Sequence, residues 1–125
     1  MTTARKRILV ADDDAAIRLL VARALERTYD VVTAEDGPGA LSLLTHPPYP
    51  DLAILDVMMP GFDGFGVTAR LKLIPNLPHI PIVFLTARDG PADLVRGIQS
   101  GARHYITKPF AIKDLLDKVD RVLRG

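Results

Sequence analysis

The sequence predicts an α/β protein: an open, doubly wound sheet of five parallel strands with five helices on its faces. Three observations lead there. Short apolar runs alternate five times with helical stretches, and such alternation implies parallel strands joined by crossover helices. The runs are largely unbroken rather than alternating, the pattern of strands buried on both faces. Finally, 125 residues fit one domain, and five βα units are too few for a closed eight-stranded barrel.

The first strand run is Ile8-Leu-Val-Ala11, which ends in Asp12-Asp13-Asp14. Ile17, Leu20, Val21, Ala24 and Leu25 then fall at helical spacing, with Asp14 placed to cap that helix. Val31 to Ala34 is a short second strand, and Asp36-Gly-Pro opens a second helix through Ala40, Leu41, Leu43 and Leu44. Three prolines between His46 and Pro50 force a loop. The third strand, Leu52 to Leu55, delivers Asp56 and stops in the turn signal Pro60-Gly61. A glycine-diluted third helix runs from Asp63 to about Lys72. Ile82 to Leu85 is the fourth strand and ends in Thr86; a fourth helix starts at Asp89-Gly-Pro91 and ends at Gly101. His104-Tyr-Ile106 is the last strand, followed by Thr107-Lys108-Pro109. The final helix carries a clean stripe of Ile112, Leu115, Leu116, Val119, Val122 and Leu123.

Composition narrows the function classes. Hydrophobic residues make up 48% and charged residues 25%, ordinary for a globular protein. Sixteen Lys and Arg against fifteen Asp and Glu leave a net charge of +1, which gives no reason to expect nucleic-acid or membrane binding. The absence of cysteine excludes disulfides and thiol chemistry. No apolar run approaches the roughly 18 residues of a membrane span, and the first residues lack a signal peptide's apolar core, so a cytoplasmic location is expected. Arg5-Lys6-Arg7 reads as a solvated flank of the first strand. His46, His79 and His104 have no partner spacing for metal binding or catalysis.

In a parallel sheet all the carboxyl ends lie on one edge, so Asp12, Asp13, Asp56, Thr86 and Lys108 converge on one crevice. Strands one and three are neighbours there in the order 2-1-3-4-5. Carboxylates gathered at about 5 Å repel by roughly 3 kcal/mol per pair at an effective dielectric near 20. Lys108 offsets part of that repulsion, and an all-oxygen acidic site suits Mg²⁺, with Mn²⁺ an alternative. A hard cation beside a free carboxylate, an ammonium and a hydroxyl is equipped for phosphoryl transfer. Asp56 is then the nucleophile, while Lys108 and Thr86 attend the transferring oxygens.

Four stretches carry a family resemblance: Ile8-Leu-Val-Ala-Asp-Asp-Asp14, Leu55-Asp-Val-Met-Met-Pro-Gly-Phe-Asp-Gly64, Leu85-Thr-Ala87 and Tyr105-Ile-Thr-Lys-Pro-Phe110. Together they resemble the receiver domain of bacterial two-component response regulators, over essentially the whole chain. The resemblance implies a flavodoxin-like fold. It implies Asp56 as phosphoacceptor from a histidine kinase phosphohistidine, or from a phosphotransfer protein. It implies Asp13 and Asp56 as direct Mg²⁺ ligands, Asp12 acting largely through water, and the Met58 backbone carbonyl as a further ligand. A cis Lys108-Pro109 peptide is also implied. Phosphorylation is expected to draw Thr86 toward the phosphoryl group and let Tyr105 turn inward, changing the face formed by the fourth helix, last strand and last helix.

Met58 and Arg88 match the two positions that tune loss of the phosphoryl group, and an apolar and a long cationic side chain predict slow loss. Residues 1–125 are expected to form one receiver domain without an output domain, acting by protein contact as a monomer or phosphorylation-dependent dimer. Leu94 and Arg103-His104 depart from the charge pattern of one dimerising subfamily, while Asp114 and Lys118 fit it; docking of a different protein there is the alternative. An aspartate-nucleophile phosphatase is disfavoured, because such enzymes place nucleophile and second Asp together after the first strand. No glycine-rich phosphate loop follows that strand, which disfavours a flavin or nucleotide site. Turnover of an external substrate is not expected.

Overall fold

The computed structural model describes residues 5–87 and 104–125. Its elements run β1 (Arg7–Ala11), α1 (Ala15–Glu26), β2 (Asp30–Ala34), α2 (Gly37–Leu44), β3 (Leu52–Asp56), α3 (Gly64–Leu71), β4 (Ile82–Ala87), β5 (His104–Lys108) and α4 (Ile112–Arg124). The sheet has five strands in the order β2-β1-β3-β4-β5, every pair parallel. This is the topology the sequence predicts. Four helices lie among the described residues; the helix expected from Asp89 to Gly101, with Arg88, Leu94 and Arg103, lies outside them.

The period-2 geometry of the strands divides the core in two. Ile8, Val10, Ile54, Val83, Leu85 and Ile106 point to the face covered by α1 and α4, meeting Val21, Leu25, Leu115 and Val119. Leu9, Ala11, Ala53, Leu55 and Phe84 point to the other face, meeting Ala40 and Leu44 of α2 and Phe65 and Val67 of α3. β3 is buried along its whole length, as its unbroken apolar run requires. Asp56 is therefore delivered by the central strand of the sheet.

Three of the loops at the carboxyl edge end in an aspartate that caps the next helix. Asp14 accepts from the Ala16 and Ile17 amides, Asp36 from Gly39, and Asp63 from Gly66. Each cap satisfies amide donors that the first helical turn leaves over, and fixes where the loop must end. The basic flank does more than face water. Arg5 donates to the backbone carbonyls of Glu26, Thr28 and Tyr29, closing the carboxyl end of α1.

Candidate functional site

Asp12 and Asp13 continue β1 beyond its last residue, Asp56 closes β3, Thr86 lies near the end of β4, and Lys108 closes β5. Parallel register carries them to one edge: Asp56 lies opposite Leu85, Thr86 opposite Thr107, and Ala87 opposite Lys108. One carboxylate oxygen from each of Asp12, Asp13 and Asp56 falls within 4.8 Å of the others. The Lys108 Nζ lies 3.0 Å from Asp12 Oδ2 and 3.3 Å from Asp56 Oδ2, bridging the two. Asp12, Asp56 and Thr86 are buried, at 0%, 5% and 7% exposure, whereas Asp13 is open to solvent.

Burial sets the protonation chemistry. The Asp56 carboxyl is pushed up to about 7, first by loss of hydration and next by the negative charge of Asp12, with Lys108 pulling the other way. Burial also works against the Lys108 ammonium. Its hydrogen bond to Asp12 and the charges of both carboxylates outweigh that effect and hold its pKa above the usual lysine value. Among the described residues, three carboxylates face one ammonium, which leaves excess negative charge in a site whose acidic donors are all oxygen. That donor set fits a hard divalent cation, with Asp12, Asp13 and Asp56 as the residues that would hold it.

The backbone supplies contacts that side-chain spacing did not reveal. The Met58 amide donates to Asp56 Oδ1 at 3.3 Å, and the Asp14 amide to Asp12 Oδ1 at 2.9 Å. Arg18 reaches back from α1 to the Asp12 carbonyl at 2.8 Å. Its place one turn into the helix that follows the acidic run was the one signal available in the sequence pattern. Gly64 lets α3 start against β3, since a Cβ there would lie 2.7 Å from the Asp56 carbonyl oxygen.

The Met58 side chain is 64% exposed at the mouth of the site. Tyr105 is half-buried on β5, its ring stacked on Phe84 with centroids 6.0 Å apart, and burial pushes its phenol up. Phe84 and Tyr105 are register partners, as are Thr86 and Thr107, so Thr86 and Tyr105 are diagonal neighbours on one sheet face. The Lys108-Pro109 peptide is cis; Pro47-Pro48, which carried no such expectation, is cis as well. Arg88 lies outside the described residues. No helix among the described residues is long and apolar enough to cross a membrane.

A 2-1-3-4-5 parallel sheet with an acidic crevice at its switch point defines a flavodoxin-like α/β domain. Residues 8–120 match the response regulator receiver domain family. The chain belongs to that family, a class of signalling domains within two-component systems. Response regulator PleD of Caulobacter vibrioides is 50% identical over 105 residues, covering 83% of this chain and 23% of that protein. The phosphate regulon transcriptional regulatory protein PhoB of Escherichia coli is 43% identical over 120 residues, covering 95% of this chain and 52% of PhoB. The chain thus spans about half the length of PhoB and less than a quarter of PleD. Among solved structures, the receiver domain of Francisella response regulator 1452 aligns with a TM-score of 0.84 at 33% identity, covering 96% of this chain and 98% of that one. A CheY-like receiver domain protein from Methanospirillum hungatei aligns at 0.85 and 29% identity, covering 97% and 95%.

Proposed function

We propose that this chain is a phosphorylation-switched signalling domain in which Asp56 accepts a phosphoryl group from a histidine kinase phosphohistidine. The observation that carries the reading is the Lys108 ammonium bridging Asp12 and Asp56 within a three-carboxylate cluster. Ionised Asp56 attacks phosphorus; the P–O bond forms as the P–N bond breaks, and the leaving imidazole nitrogen keeps the electron pair and takes up a proton. The Met58 amide holds Oδ1, which leaves Oδ2, on the Lys108 side, to attack. Lys108 neutralises charge on the transferring oxygens, and the Thr86 hydroxyl donates to one of them. Mg²⁺ held by Asp12, Asp13, Asp56 and the Met58 carbonyl supplies charge neutralisation when bound.

The acyl phosphate then accepts a hydrogen bond from the Thr86 hydroxyl and draws it toward the crevice, freeing space beside its diagonal neighbour Tyr105. That biases the outer face toward a second arrangement that a downstream protein reads, as a monomer or a phosphorylation-dependent dimer. Exposed, apolar Met58 does not orient an attacking water, so the phosphoryl group persists for minutes or longer. No steady turnover of an external substrate is involved.

The test is intact-mass analysis after incubation with Mg²⁺ and acetyl phosphate, followed over time after the donor is removed. The wild type is expected to gain one phosphoryl group and lose it slowly, and Asp56→Asn to gain none. A phosphoryl gain that survives in Asp56→Asn overturns the acceptor assignment, and loss within seconds overturns the role given to Met58.

A further inference from the structure

We propose that Gly37, at the start of α2, is a positioning residue for the acceptor carboxylate, acting through the turn between β3 and α3. The inference rests on the reading of Asp56 as phosphoryl acceptor. A Cβ on Gly37 would lie 2.1 Å from the Phe62 carbonyl oxygen and 2.7 Å from the Phe62 ring, so any side chain there must move the turn. The clash at 2.1 Å is with backbone, which has no rotamer to yield.

Other contacts fasten the same seat. The Gly37 amide donates to the Pro60 carbonyl at 3.2 Å. Gly61, at φ +84°, packs against Pro38, where a Cβ would come within 2.7 Å of Cδ. The Phe62 ring carries the Arg70 guanidinium 3.7 Å above its centroid. Residues 60–62 are thereby held against α2, and the Gly64 amide ties the far end of the turn to the Val57 carbonyl at 3.1 Å.

What the seat fixes is Met58, two residues upstream of Pro60, whose amide holds Asp56 Oδ1 at 3.3 Å. Missing volume at Gly37 therefore aims the nucleophile through the Pro60 and Phe62 carbonyls, the turn and one amide. A displacement of about 1 Å in such a chain is enough to cost on the order of a hundredfold in rate.

The experiment compares wild type, Gly37→Ala, Phe62→Ala and Leu44→Ala, each held well below its melting temperature. Leu44 is fully buried at the other end of α2, so its truncation destabilises the helix without touching the turn. Measured are the phosphorylation rate with acetyl phosphate and Mg²⁺, the Mg²⁺ dissociation constant by calorimetry, and the Met58 amide proton shift. Gly37→Ala is expected to phosphorylate at least about tenfold more slowly, to bind Mg²⁺ at least about threefold more weakly, and to show an upfield Met58 amide as its hydrogen bond lengthens. Leu44→Ala is expected to match the wild type in all three once folded.

Wild-type rates in folded Gly37→Ala overturn the proposal, as does equal slowing in Leu44→Ala. Should Gly37→Ala fail to fold, Phe62→Ala decides, because loss of the ring loosens the same seat and a wild-type rate there overturns the proposal. A wild type that accepts no phosphoryl group removes the acceptor reading instead, and the Met58 shift still reports whether Gly37 seats the turn.

Discussion

A buried carboxyl whose pKa stands near 7 makes stability depend on pH. Asp56 titrates near 3.8 when hydrated and near 7 in the folded chain, so the native state binds its proton more tightly than the unfolded state does. Stability from this group is therefore greatest below about pH 4, falls as pH rises toward 7, and is flat above. Each pKa unit of that difference corresponds to about 1.4 kcal/mol, so the fall is large enough to read in a denaturant melt. Denaturant melts in a metal chelator are expected to show Asp56→Asn more stable than wild type at pH 8, with the gap narrowing at pH 5. An equal gap at both values would contradict this account. Chelation matters because a cation that binds only the native state adds stability by mass action, about 2.7 kcal/mol at a hundred times its dissociation constant. At this scale Asp12, Asp13, Asp56, Thr86 and Lys108 were legible in the sequence, because strand runs mark their own ends. The Met58 and Asp14 amides were not, since the direction of a backbone N–H in a turn leaves no trace in side-chain spacing.

Elements divide in the same way. The final helix was plain from its stripe, and in the structure Leu115 and Val119 are fully buried while its charged side faces out. Leu115→Ala should leave a cavity costing about 2–5 kcal/mol, seen in denaturant melts, without changing the phosphorylation rate of the folded protein. A slowed rate at full folding would mean that α4 reaches the site. The third helix was diluted by Gly64 and Gly66, yet it forms over Gly64–Leu71 because Asp63 caps it and Phe65 and Val67 bury against the sheet. Here packing overrides weak propensity. Asp36-Gly-Pro38 was readable as a helix start, but not as the seat of a turn some twenty residues onward. That contact is long-range, and only the folded sheet brings α2 beside the β3–α3 connection.

At the scale of the molecule, the strand order was inferable because two faces of helices and parallel strands leave few arrangements that bury every apolar run. It places β1 beside β3 at the centre and β5 at one edge, so the site draws on both ends of the chain. The hydrogen bond from Lys108 to Asp12 joins residues 96 positions apart. Bringing residues so far apart together costs loop-closure entropy that is recovered only when β3 and β4 stand between the two strands, so this contact is expected to form late in folding. Mg²⁺ affinity should therefore appear in the slowest refolding phase, as seen by stopped-flow mixing with an indicator; earlier affinity would show that the site forms without β5. A chain still emerging from the ribosome has its acidic residues long before it has Lys108. Until β5 docks, Asp12 and Asp56 stand without the ammonium that bridges them in the folded domain, so the order of synthesis leaves the most strongly charged corner of the sheet to be neutralised late.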